Sequence, residues 1–351
     1  MHRLIVAAFP SVFPFHPCII KLRPHILFNV ANSKRSPVTA IEFTKAEPEF
    51  VTVSLPDYGL LSVQGPDTEK FLQGQLSCDL NQLGEDCWSY AAHCDQKGKT
   101  LSTLFVGRSQ DRILLVSSRA ALAASKAQLD KFSVFSQLEI SDLSEQYPCF
   151  GVFGAAAPQQ LAEQFDQPLV SADANSLFSL DDAWIFHLGE HPQQYLVLTK
   201  QVDFPTNAPE QQWQALEIER GRATLQQQTI AEFVPQMLNV HLLHGISFSK
   251  GCYIGQETIA RMKYLGKQKR ALFRLQGQGS EVAPGATIEQ QLGDNWRRAG
   301  TVINAVSRAD QQLDVLAVLP SDSSADARFR IKDDDVSFLE IHPLPYNLDE
   351  S

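Results

Sequence analysis

The stretch TLSTLFVGRSQDRILLVSS, residues 100–118, carries two apolar runs that alternate with polar residues on either side of a short polar loop. Alternation at period two sends successive side chains to opposite faces, so each run reads as a strand with one buried face. The pair reads as a hairpin. SRAALAASKAQLDKF (118–132), rich in good helix formers, follows as a helix.

The same grammar extends in both directions. VTVSLPDYGLLSVQG (51–65) reads as strand, Pro-Asp turn and strand, and DTEKFLQGQL (67–76) as a helix with Asp67 at the N-cap, weakened by Gly74. APQQLAEQF (157–165) is a helix, AWIFHLGEHPQQYLVLT (183–199) a second hairpin, and APEQQWQALEIERG (208–221) a helix that stops at Gly221. Hairpins rather than single crossovers point to an α+β protein with antiparallel sheet, not a doubly wound parallel one. From about residue 271 the texture changes. ALFRLQG, WRRAGTVINAV and LDVLAVLP are short strands between Gly, Pro, Asp and Ser, the pattern of a small all-β barrel or sandwich. KDDDVSF (332–338) and the tail PYNLDES (345–351) read as solvated surface. The expected organisation is a leader over 1–46, an α+β region over 47–270 in two parts divided near 145–150, and a C-terminal β domain over 271–351.

Composition narrows the function. A net charge of -10 and a pI near 5.4 argue against a surface that grips a nucleic-acid backbone as a whole. Six cysteines are too sparse for a disulfide scaffold, none has zinc spacing, and they read as reduced thiols. No apolar run reaches the length of a membrane span. Residues 1–41 hold no acid and five basic residues among prolines. That segment is either a targeting leader or translated upstream sequence, and it is set aside for the fold.

The chemistry concentrates in SKGCYIGQET (249–258), where Gly251 and Gly255 bracket Cys252, with Lys250 before it and Gln256 and Glu257 behind. The spacing is not that of a phosphate loop. The glycines permit unusual backbone or close approach to a ligand, and Lys250 and Lys263 are placed to favour a thiolate. A nucleophile needs a base, for which His241 and His244 are near in sequence; the plain alternative is an inert cysteine. RMKYLGKQKR (261–270) carries Arg261, Lys263, Lys267, Lys269 and Arg270 without an acid, suited to a phosphate, a polycarboxylate or RNA, or to a solvated face. His93, Cys94 and Asp95 in AAHCDQKGK look metal-like, but strand neighbours point to opposite faces and do not share an ion.

KGCYIGQE, set between NVHLLHGISF and TIARMKYLGKQKRAL, closely resembles the YgfZ-type folate-binding proteins, the bacterial tRNA-modifying branch of the family that includes the glycine-cleavage T protein, aminomethyltransferase. GPDTEKFLQGQLSCD, AAHCDQKGK, FVPQMLNV, NWRRAGTV and IHPLPY extend the resemblance from about residue 50 onward. It implies α+β folate-binding subdomains around a central hole, then a C-terminal β-barrel. It also implies tetrahydrofolate or a one-carbon derivative as cofactor, support of iron-sulfur enzymes, an indirect effect on tRNA modification, and a cytoplasmic protein.

By position, the folate-associated aromatic residues fall on Tyr58, where relatives usually have tryptophan, and on Trp213. Tyr253, Gln256, Glu257 and Arg261 are further cofactor-binding candidates, and Cys252 with Lys250 the functional pair; no metal ligand is expected. GRATLQ (221–226) departs from the usual Gly-x-Pro. The paired aspartates of an aminomethyltransferase fall on Ser102 and Thr103 in GKTLSTLFV, and a hydroxyl cannot carry a carboxylate's charge near neutral pH. The resemblance therefore implies a folate-dependent accessory factor, with a one-carbon transferase of unknown acceptor as the alternative. Direct RNA binding through the basic run ranks last.

Overall fold

The structure, a computed structural model, describes residues 48–169, 174–201, 203–264, 266, 268–308 and 312–348; the leader and Lys267 lie outside them. In chain order the strands are β1 (Val51–Ser54), β2 (Tyr58–Gln64), β3 (Trp88–Cys94), β4 (Thr100–Ser109), β5 (Arg112–Ser118), β6 (Glu139–Asp142), β7 (Cys149–Phe153), β8 (Leu177–Leu180), β9 (Ala183–Glu190), β10 (Gln193–Thr199), β11 (Arg270–Gln278), β12 (Thr287–Leu292), β13 (Asn295–Ser307), β14 (Gln312–Pro320), β15 (Arg328–Ile331) and β16 (Phe338–His342). The helices are α1 (Thr68–Gln73), α2 (Arg119–Phe132), α3 (Ala157–Phe165), α4 (Gln211–Glu219) and α5 (Gln256–Tyr264).

Both expected hairpins form, β4 with β5 and β9 with β10, each antiparallel. They are the centres of two five-stranded sheets, β3-β4-β5-β2-β6 and β1-β7-β10-β9-β8. β1 and β2 are strands, as their alternation requires, but they do not pair with one another. β1 joins β7 in the second sheet and β2 joins β5 and β6 in the first, so the Pro56-Asp57 turn carries the chain from one sheet to the other. Ser118 caps α2 by accepting from the Ala121 amide at 3.2 Å. Asp67 occupies the N-cap of α1, yet its carboxylate accepts from the Gln137 amide at 2.7 Å instead, tying the helix start to the loop before β6.

The C-terminal strands close into a barrel, β11-β14-β13-β12-β15-β16. β14 shows why LDVLAVLP is apolar throughout. Val315, Ala317 and Leu319 fill the barrel, while Leu316 and Val318 point outward into a core cluster shared with both sheets. Two side-chain amides then stitch barrel and sheets together. Asn239 donates to the Leu272 carbonyl (2.8 Å) and accepts from its amide (3.2 Å). Asn304 does the same to Thr224, at 2.8 and 2.9 Å. A four-charge network of Arg274 and Arg308 with Glu219 and Asp314 joins the end of α4 to β11 and β14.

One expectation is corrected. The tail is not solvated surface throughout: the Tyr346 hydroxyl donates to the Gly221 carbonyl at 2.8 Å, and burial raises its pKa. Among the described residues Cys78, Cys94, Cys149 and Cys252 are free thiols. Among the described residues no helix is long and apolar enough to cross a membrane.

His93 and Cys94 turn to opposite faces of β3, as alternation demands. Cys94 enters the shared core, and His93 meets α2, where its Nε2 takes the Gln128 amide at 3.0 Å. Burial pulls the His93 pKa down to about 4. Between the ordinary value and about 4 the unfolded chain binds a proton that the folded ring refuses, so stability present at neutral pH is lost as pH falls through that window. His241 behaves alike, so the comparison must isolate His93. In urea unfolding the wild type is expected to lose about 2 kcal/mol more than His93→Gln between about pH 7 and about pH 5. Parallel pH profiles for the two proteins would contradict this.

Candidate functional site

The inner face of the first sheet supplies one wall of a small internal cavity. β2, β3, β4 and β5 contribute Tyr58, Tyr90, Thr103, Phe105 and Ser117, α4 contributes Glu217, and the chain leaving α4 contributes Arg222, Ala223 and Thr224. The volume is about 10 Å³, room for a single water and far short of a pterin. What fills the space is an ion pair. Arg222 Nη2 donates to Glu217 Oε1 at 2.8 Å, both side chains being less than 10 % exposed. The same Arg222 nitrogen donates to Gln194 Oε1, Nη1 reaches the Leu188 carbonyl at 3.3 Å, and the guanidinium carbon lies 5.5 Å from the Phe105 ring centroid. Gln194 Nε2 returns a bond to Glu217 Oε1 at 2.7 Å. Residues of both sheets thus converge on one guanidinium.

The segment that delivers Arg222 is pinned on every side. The Ala223 carbonyl accepts from Thr103 Oγ1 at 2.6 Å and from the Tyr90 hydroxyl at 3.2 Å, and the Thr224 hydroxyl pairs with Tyr58 at 3.2 Å. Burial, with Glu217 adding to it, raises the Tyr58 pKa, so the phenol stays neutral. Trp213 stands beside the Tyr58 hydroxyl, fully buried. Its ring lies so close to β7 that a Cβ at Gly151 would come within 2.2 Å of it, so only glycine fits there. Of the aminomethyltransferase aspartate positions, one faces the cavity. Thr103 lines it, whereas Ser102 points to α2 and bonds Ser125 at 2.7 Å.

The KGCYIGQE loop is built elsewhere, on the strand end and loop that follow α1. Lys250 is buried, and its ammonium donates to the Leu76 carbonyl at 2.9 Å and the Cys78 carbonyl at 2.6 Å, with the Tyr253 ring centroid 5.1 Å away. Burial holds its pKa down to about 8. Ile254 N donates to the Gly74 carbonyl at 3.0 Å. Gly255, at φ +81°, fits against Asp95 and Gly98, where a Cβ would approach to 2.8 Å. Cys252 is left exposed at the crest of this clamped loop. Tyr253 is buried; Gln256 reaches back to the Gly251 carbonyl at 3.4 Å; Glu257 and Arg261 are exposed on α5. None of these six motif residues lines the cavity.

The basic run opens onto a third place. Lys263 and Lys269 line a cleft of about 750 Å³ with Gln236, His241, Phe248 and Asp322. The Lys263 ammonium sits 3.9 Å from the Phe248 ring centroid. The ring nitrogens of His241 have no hydrogen-bond partner, and burial with Lys263 nearby lowers its pKa to about 4. His241 is therefore part of this cleft, not a base paired with a thiol. Sequence reasoning missed Tyr90, Phe105 and Glu217 as cavity residues. For Arg222 it held one signal, the departure of GRATLQ from Gly-x-Pro.

If Lys250 clamps the loop, Lys250→Met strips a charge from two buried carbonyls while keeping the packed stem. Urea unfolding is expected to show a loss of about 2–3 kcal/mol. Cys252→Ala, exposed, is expected to stay within about 0.5 kcal/mol of the parent. Equal losses from both would contradict the clamp.

Comparison with known proteins places this geometry. Residues 268–334 match the family model described as YgfZ, beta-barrel domain. The chain is 38% identical over 316 residues to the "tRNA-modifying protein YgfZ" of Yersinia enterocolitica, covering 88% of this chain and 96% of that protein. The protein of the same name from Enterobacter sp. is 39% identical, with 85% and 94% covered, and that of Klebsiella pneumoniae 38%, with 88% and 96%. Among solved structures, the glycine cleavage system aminomethyltransferase T from Bartonella henselae superposes with a TM-score of 0.65 at 14% identity, over 85% of this chain and 86% of that one. The two antiparallel sheets and closing barrel are thus the aminomethyltransferase fold, and the chain belongs to the YgfZ family of tRNA-modifying proteins.

Proposed function

We propose that the chain is a folate-binding accessory factor that supports iron-sulfur cluster enzymes and thereby tRNA modification, with Cys252 as its functional thiol. The observation that carries the reading is the central cavity. Aromatic faces from Tyr58, Tyr90 and Phe105 surround one buried carboxylate, Glu217, in a fold of the aminomethyltransferase type. Such a wall suits a flat heterocycle with donor groups on its edge. In tetrahydrofolate the pterin supplies that plane, and its ring N–H and exocyclic amine supply the donors. Tyr58 and Trp213 are the aromatic clasp in this reading, and Tyr253, Gln256, Glu257 and Arg261 belong to the separate motif loop and its helix. Cys252 acts after binding, as an exposed thiol on a loop that Lys250 holds rigid.

The alternative, a folate-dependent one-carbon transferase, needs an acidic group at the reacting end. Thr103 stands in the cavity where an aminomethyltransferase has an aspartate, and its hydroxyl is already committed to the Ala223 carbonyl. Glu217 is the carboxylate at hand, and it is engaged by Arg222. The accessory reading therefore ranks first. Lys263 and Lys269, in their own cleft, are assigned to an anionic group of a partner or ligand.

Calorimetric titration of tetrahydrofolate under reducing conditions tests the reading. Wild type and Cys252→Ala are expected to bind within about a factor of two of each other, while only the wild type restores iron-sulfur enzyme activity in cells lacking the protein. No heat from either protein would sink the folate assignment. Full restoration by Cys252→Ala would sink the thiol's role and leave folate binding standing.

A further inference from the structure

The central cavity has the walls of a ligand site and the free volume of a single water. Arg222 accounts for the difference. Its guanidinium is a flat group over the Phe105 face, 5.5 Å from the centroid, with an N–H donated 2.8 Å to Glu217. Any ligand that used the ring and the carboxylate together would have to stand where Arg222 now stands.

The pair is not one that a purely structural ion pair would favour. Bonds from Arg222 and Gln194 both fall on Glu217 Oε1, rather than the two parallel bonds of a bidentate fork. Arg222 Nε is buried and has no hydrogen-bond partner. A buried donor without a partner costs free energy, so the guanidinium fits this space incompletely. Meanwhile its backbone is fixed: Gly221 is held by Tyr346, and Thr224 by Asn304. Exchange of the occupant then requires movement of one side chain, with the backbone left in place.

We propose that Arg222 is the residue that decides what this cavity accepts. It occupies the place of a planar ligand edge with adjacent N–H donors, for which Glu217 is the recognising carboxylate and Phe105 the stacking face. The aminopyrimidinone edge of a pterin, a cyclic relative of guanidine, has that shape and donor pattern. Arg222 therefore competes with the ligand from within the chain, and apparent affinity is reduced by the fraction of molecules in which it sits inside. Naming a pterin rests on the folate reading above. The competition rests on the geometry.

The test titrates tetrahydrofolate, isocytosine as the bare aminopyrimidinone, and guanidinium at millimolar level into wild type, Arg222→Ala, and Arg222→Ala combined with Glu217→Gln. Near-UV circular dichroism establishes that each is folded. Arg222→Ala is expected to bind isocytosine and tetrahydrofolate at least about tenfold more tightly than wild type. Guanidinium should compete with both, and Glu217→Gln should abolish the gain. If Arg222→Ala binds isocytosine and guanidinium competitively but no protein binds tetrahydrofolate, the competition stands and the folate reading falls. A folded Arg222→Ala that binds isocytosine no better than wild type, or a gain that survives Glu217→Gln, overturns the proposal. Should the alanine variant not fold, Arg222→Lys carries the test, because it keeps the charge but loses the planar fork. An affinity equal to wild type would then overturn it.

Discussion

The buried pair of Glu217 and Arg222 is the point on which the two sheets converge. Glu217 belongs to α4, Gln194 and Leu188 to β10 and β9, and Phe105 to β4, and each touches the one guanidinium. Breaking a buried pair by removing one member is costly, because the other is left charged and unpaired. A cavity closed in this way keeps its shape without a bound ligand. It also ties the condition of the cavity to a single side chain.

The barrel is what gives that side chain its aim. Asn304 on β13 bonds both backbone groups of Thr224, and the four-charge network holds Glu219 to β11 and β14. Tyr346, from beyond the last strand, closes on Gly221. The segment 219–224 is thus clasped from the barrel side while Thr103 and Tyr90 clasp Ala223 from the sheet side. In an α+β fold shared with aminomethyltransferases, the domain farthest along the chain sets the geometry of the central cavity.

The motif loop obeys a different logic. Lys250 spends its ammonium on two backbone carbonyls of the segment after α1, so it is an anchor for the loop. Anchoring leaves Cys252 exposed on a rigid support, the arrangement that suits a thiol meant to meet something from solution. Cavity, loop and basic cleft are three places with separate linings.

Much of this was legible from residue patterns alone. Period-two alternation and short polar loops define the two hairpins, because a strand's side chains must divide between two faces. Helix composition defines α2, and the texture after residue 271 defines the β domain. The KGCYIGQE run marks the loop and its family. Pairing partners were not legible: nothing local tells β1 and β2 that they belong to different sheets, since the ladder bonds that decide it lie about 100 residues away in β7 and about 50 in β5. The occupant of the cavity was likewise beyond the sequence. Glu217 and Arg222 are five residues apart and look like solvated charges on a helix end. Only the barrel and both sheets, closing around them, remove the water that would otherwise have kept them apart.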